Sequence, residues 1–193
     1  MKAGCYLIIL LSFLCPIVSP KPASCQPAGA EKTVLEGLVV GVSEGDRLTV
    51  NSFGTEIQVS LYGVVTPHTA RVDKFTGWYK AGQPYAEDAF RALSIKVLHQ
   101  QVQVEIRQML VHKQNSKQMA LAVIYLDGRN INLEMLSDGW GWAATRFMSR
   151  ADHAHYHAVQ RSARSRKMGL WLQDNPQPPW EFKPDLRIKM ENG

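Results

Sequence analysis

Ile57-Gln58-Val59-Ser60-Leu61-Tyr62-Gly63-Val64-Val65-Thr66-Pro67-His68 is the stretch on which the reading of this chain turns. Ile57, Val59 and Leu61 alternate with Gln58, Ser60 and Tyr62, a period of two that predicts a strand with one buried face. Gly63 and Pro67 then end the strand and turn the chain. Upstream, Val34–Val42 and Leu48–Asn51 are short β-rich runs separated by Ser43-Glu44-Gly45-Asp46-Arg47. Asn51-Ser52-Phe53-Gly54 is a second turn, and Thr55–Leu61 the third strand. Strands joined this closely form a meander.

Downstream, residues 69–82 read as irregular. Pro84 suits a helix start, and Tyr85–Leu98 carries Tyr85, Phe90, Leu93 and Val97 at helical spacing. Val102, Val104 and Ile106 alternate as in a strand. Residues 112–118 read as a polar loop, and Ala120–Leu126 as a strand closed by the turn signal Asp127-Gly128. Ile131–Asp138 reads as a short helix capped by Gly139, and Asp152–Lys167 as a third helix stopped by Gly169. The order β-β-β-α-β-β-α-α predicts an α+β protein, mainly β: a five-stranded Greek-key OB-fold barrel with three helices outside.

The 193 residues suit one domain with a targeting segment. At 45% hydrophobic and 20% charged, the chain has an ordinary globular balance. Cys5, Cys15 and Cys25 all lie near the N-terminus, so no disulfide staples the remainder and core packing must hold it. Residues 1–30 read as an export signal, with Lys2 ahead of the apolar run Tyr6–Val18, which is shorter than the ~20 residues of a comfortable span. Cleavage after this segment, retention as a membrane anchor through residues 1–25, and a lipoprotein site at Cys25 all stay open. Each places the domain outside the cytoplasm: periplasmic, extracellular or anchored facing outward. Losing residues 1–30 takes two lysines and no acid from a formal charge of +5. The remaining excess permits contact with phosphates or anionic membranes without demanding it. The expected divisions are 1–30 as targeting segment, 31–175 as barrel domain and 176–193 as a proline-rich extension.

The combination of strand, "EGDRL", strand and "VSLYGVVTPH" resembles the staphylococcal nuclease (thermonuclease-like) family. "GQPYAEDAFRAL" resembles that family's first helix. "LAVIYLDGRNINLEMLSDGWGWA" resembles its strand, turn and second helix, and "ARSRKMGLW" with "NPQPPWEF" resembles the ending of exported members. The likeness runs from about Val34 to Lys183 and implies the OB-fold.

It also implies a calcium-dependent nuclease site, and there the chain departs from the pattern. The family supplies two aspartates and a threonine carbonyl to calcium, a glutamate to the attacking water and two arginines to the phosphate. The matching positions here are Asp46, Val65 and Thr66 for the metal, His68 for the glutamate, and Ser60 and Met119 for the arginines. Valine cannot ligate a hard cation. An imidazole accepts a proton but adds no negative charge, and a hydroxyl does not replace a guanidinium fork. Lys117 is a nearby cation two residues out of register. Of the five side-chain roles only Asp46 keeps its residue, and such losses each cost orders of magnitude in rate. The expectation is no calcium site, no other cofactor and no family catalysis.

Other groups have plainer readings beside the functional ones. His153, His155 and His157 lie on the third helix, and the first and last are four apart as in zinc sites; a solvated helix face explains them as well. Arg161, Arg164, Arg166 and Lys167 form a basic cluster that suits nucleic acid or anionic lipid, or merely the helix dipole. Trp140, Trp142 and Trp171 suit packing or base stacking. The function expected from sequence is an exported nuclease-like domain acting by binding nucleic acid or a protein. A phosphodiesterase with rearranged chemistry through His68, Asp46 and Lys117, and a structural component of an envelope assembly, are the alternatives.

Overall fold

The computed structural model describes residues 33–72, 77–111, 118–144, 146 and 148–183. The targeting segment and Lys117 therefore lie outside the described residues.

Five long strands form the barrel: β1 (Thr33–Glu44), β2 (Arg47–Ser52), β3 (Thr55–Leu61), β7 (Gln101–Val111) and β8 (Gln118–Leu126). Their order is β3-β2-β1-β7-β8, and a parallel pairing of β3 with β8 through Val59–Ala120, Ser60–Leu121 and Leu61–Ala122 closes the sheet. This is the OB-fold expected. The short β9 (Arg129–Asn130) pairs with the end of β8 across the Asp127-Gly128 turn. β1 is long because it serves two neighbours: Thr33–Leu38 pairs with β7, and Leu38–Glu44 with β2. Register breaks after Val39 and Val42 supply the bend that a closing strand needs.

The alternation read from sequence is the alternation that packs. Leu48 and Val50 of β2, and Val59 and Leu61 of β3, point into the barrel with Val39, Val102, Val104 and Ile124. Their partners Arg47, Thr49, Gln58 and Ser60 face outward by the same period of two.

Helix α1 (Ala86–Val97) buries Ala86, Ala89, Leu93 and Val97 at spacings of three and four against the barrel. Helix α2 (Ile131–Ser137) is capped by Asn130, whose side chain accepts from the Leu133 N–H. Helix α3 (Arg150–Ser165) is capped in the same way by Ser149 through Asp152 N–H. Asn132, fully buried, takes the Ile124 N–H and donates to the carbonyls of Tyr62 and Ala122, so one side chain ties α2 to two barrel segments.

Residues 69–72 and 77–82 are more ordered than their sequence implies. They include a small ribbon of β5 (Arg71–Val72) and β6 (Tyr79–Lys80). The proline-rich tail is wrapped as far as Lys183: the Gln83 side chain donates to the Gln177 carbonyl, and Trp180 packs edge-on to Trp142.

Candidate functional site

The chain converges just past the third strand. β4 (Val64–Val65) follows a turn at Gly63, whose φ of 74° needs glycine and whose added Cβ would lie 2.7 Å from the Tyr156 ring. β4 pairs with β10 (Trp142–Ala143), Val65 opposite Trp142. That pairing delivers Thr66-Pro67-His68 to the mouth of the β1–β2 turn.

Asp46 sits in that turn with 3% of its surface exposed. Burial pushes its carboxyl up to about 6. Arg47 opposes that rise, Glu44 adds to it, and the backbone N–H groups of Thr66 and Asp46 hold it back. Glu44 is already engaged, accepting from both the N–H and the hydroxyl of Thr69 at 3.0 and 3.1 Å. Gln83 fixes the His68 backbone from both sides: its side-chain oxygen accepts from His68 N–H, and its own N–H donates to the His68 carbonyl. The His68 imidazole lies below its ordinary value because of burial, with Glu44 opposing and Arg47 and Arg71 assisting.

Four buried polar atoms in this one place have no hydrogen-bond partner: Asp46 Oδ1, Arg47 Nε, Thr66 Oγ1 and His68 Nδ1. Beside them a cleft of about 400 Å³ is lined by His68, Thr69, Arg71, Lys80, Pro179 and Phe182. Arg71 and Lys80 are directly opposed on their ribbon. An imidazole and two cations, His68, Arg71 and Lys80, line this cleft, a set suited to an anionic ligand.

The profile of the staphylococcal nuclease homologue family matches residues 58–173. The chain belongs to that family. Among relatives, it is 29% identical over 154 residues to an uncharacterized endonuclease of Haemophilus influenzae, covering 79% of this chain and 75% of that one. It is 26% identical over 161 residues to a micrococcal nuclease of Shigella flexneri, covering 81% and 83%.

In this family member, Asp46, Thr66 and His68 come together as their motif positions imply. Val65 is half-buried and held in the pairing with Trp142. Ser60 sits on the outward face of β3, opposite Arg47 in the ladder with β2. Met119 is half-buried on β8, paired with Leu110. Among the described residues, no three His, Cys, Asp or Glu side chains are placed to share a metal ion.

The groups read from the third helix lie elsewhere. The rings of His153 and His157 are 4.3 Å apart, centre to centre, so the spacing of four does bring them together. Arg161, Arg164, Arg166 and Lys167 are exposed and none lines the His68 cleft. Arg164 lies over the Trp171 ring and Arg166 donates to the Ser137 carbonyl, so two of the four have local packing roles. Trp142 and Trp171 are buried edge-to-face, and Trp140 packs on the core.

Sequence reasoning missed Arg47 and Gln83. Arg47 had a signal: it begins a strand that hairpins onto the one containing Ser60, and hairpin register places the two opposite. Gln83 had none, because its contacts to His68 and Gln177 span 15 and 94 residues.

Proposed function

We propose that this protein binds the phosphodiester backbone of nucleic acid at the Asp46–Arg47–Thr66–His68 site, and does so without calcium. One observation carries the reading: four buried polar atoms from two separate segments meet there without partners. Each such atom costs about 1–3 kcal/mol when nothing satisfies it, so a ligand that supplies partners to several at once is favoured there. The relatives named as nucleases support a phosphodiester as that ligand.

The residues present do not suit calcium, which takes six to eight oxygens at flexible geometry. Asp46 is a single carboxylate, Val65 contributes no side-chain donor, and both Glu44 oxygens already serve Thr69. The Arg47 guanidinium, 3.9 Å from Asp46 Oδ1, adds positive charge where a cation would need negative.

A second reading has its own support. The site holds a carboxyl that titrates near 6 and an imidazole held below its ordinary value, an acid and a base on neighbouring segments. That pair suits metal-independent phosphodiester hydrolysis. The apolar N-terminal segment supports export, and a fusion of residues 1–35 to a reporter active only outside the cytoplasm tests it.

The deciding experiment uses purified protein with labelled single-stranded DNA, duplex DNA and RNA, each with calcium, magnesium or chelator. Binding that survives chelation, without cleavage, is the expected result. Cleavage that follows the protein through purification and vanishes in His68→Ala would establish the second reading. Failure to bind any of the three polymers would overturn both.

A further inference from the structure

We infer that the phosphate anchor of this site is the Arg47 guanidinium, held ready by the Asp46 carboxylate and projecting from β2 opposite Ser60. This rests on the phosphodiester-binding reading above and names the group that does the binding.

The register comes first. Arg47 and Ser60 are directly paired in the antiparallel β2–β3 ladder, so their side chains leave the same face of the barrel. That is the outward face, since Leu48 and Val59 beside them are buried. Serine is small, so the ladder neighbour leaves room for the guanidinium to lie across it.

The geometry of the ion pair comes second. Arg47 Nε and Asp46 Oδ1 stand 3.9 Å apart, too far for a hydrogen bond, and both atoms are buried without partners. The ion pairs of Lys96 with Glu134 and Asp138 close to 2.8 and 3.0 Å and that of Arg129 with Glu134 to 2.9 Å, whereas the exposed helical pair Arg91–Asp88 stands at 4.0 Å. The Arg47–Asp46 pair also stands open. Meanwhile the Arg47 side chain is 43% exposed and the Asp46 side chain 4%. The carboxylate is thus buried, while part of the arginine side chain beside it reaches solvent. A guanidinium presents its N–H groups as a planar fork that matches two oxygens of one phosphate. The buried carboxylate supplies the fixed counter-charge that aims the fork.

Position comes third. Arg47 follows Asp46 at the start of β2, and its charge is also felt at His68 on the loop beyond β4. Arg71 also acts on His68 and lines the adjoining cleft. A phosphate on Arg47 would thus lie next to His68, with the cationic ribbon beyond.

The test measures affinity of the full chain for a fluorescein-labelled twelve-nucleotide thymidine strand, in chelator, as a function of salt. Arg47→Ser should weaken binding at least ~10-fold and reduce the slope of log affinity on log salt by about one. Arg47→Lys should recover only part of the affinity, because a point charge lacks the fork. Arg47→Ser combined with Ser60→Arg should return to within ~3-fold of the parent, because position 60 presents the guanidinium from the facing strand. Melting curves confirm that each variant is folded. Unchanged affinity in Arg47→Ser, a folded double variant no better than the single one, or loss of parental binding on chelation would each overturn the assignment. Absence of any parental binding to the strand refutes the nucleic-acid reading alone. In that case inorganic pyrophosphate is titrated while the Arg47 Nε–H resonance is followed: a saturable shift upholds the anchor, and no shift overturns it.

Discussion

Asp46→Asn should stabilise this protein at pH 8 and do nothing for it at pH 4. Asp46 is 3% exposed, and its carboxyl is pushed from 3.8 up to about 6, mainly by burial. The native state therefore holds a proton there that the unfolded chain has released. Between about pH 4 and pH 6 the native state binds more protons than the unfolded one, so stability falls as pH rises through that range. Below pH 4 both states are protonated and the penalty is absent. Above pH 6 it is complete. A displacement of about two pH units corresponds to ~3 kcal/mol. The attraction of Arg47 is already inside that figure, because it is one of the influences that set the carboxyl. Asparagine keeps an oxygen for the Thr66 N–H and carries no charge to desolvate. Its amide needs a partner, and the unpartnered Thr66 Oγ1 and His68 Nδ1 are in the same place.

The expected gain at pH 8 is therefore ~2–3 kcal/mol, roughly 4–12 °C in midpoint for a unit of this size. Urea unfolding of parent and variant at a series of pH values from 4 to 8 measures it. Other titrating groups are common to both proteins and largely cancel in the difference. Equal stability at pH 8, or a gain that persists undiminished at pH 4, would refute the reasoning.

Three further outcomes follow from the site and the core. Phosphodiester binding should weaken as pH falls from 8 to 5.5, because Asp46 loses near 6 the charge that aims Arg47; anisotropy across that range checks it, and a flat profile would count against the site. Asn132→Ala should cost roughly 2–5 kcal/mol in denaturant unfolding, since it strands the Ile124 N–H and the Tyr62 carbonyl in a fully buried place. Calorimetry with calcium should give no stoichiometric heat, and a heat that disappears in Asp46→Ala would show that the family's cation is held after all.

The barrel was legible because its signals are local and repeated. Alternation in residues 57–61 and 101–106, helical spacing in 85–98 and the Asp127-Gly128 turn each fix an element within a few residues, and their order admits few folds. The small ribbon at Arg71–Lys80 escaped because two-residue strands leave no period to read. The site was half legible. Asp46, Thr66 and His68 could be placed by motif position. Arg47 could be found only by pairing strands, since matching one position at a time asks what residue 60 is and never what stands opposite it. The partnerless state of four polar atoms is a property of packing and leaves no trace in sequence.

That cross-strand relation also decides what restoring the family's residues would require. Ser60→Arg, Val65→Asp, His68→Glu and Met119→Arg would rebuild the missing carboxylates and arginines by position. Yet Arg47 would remain, directly opposite the guanidinium introduced at position 60, and like charges directly opposed in a ladder are destabilising. It would also stay 3.9 Å from Asp46 Oδ1, the first carboxylate a calcium ion needs. The quadruple variant should therefore bind calcium poorly, and adding Arg47→Ser should strengthen calcium binding by at least ~10-fold, the equivalent of one ion-pair-sized repulsion removed. Calorimetry of the two variants side by side makes the comparison. Equal calcium affinity in both would show that Arg47 does not obstruct the cation, and the account of a site rebuilt around an arginine would fail with it.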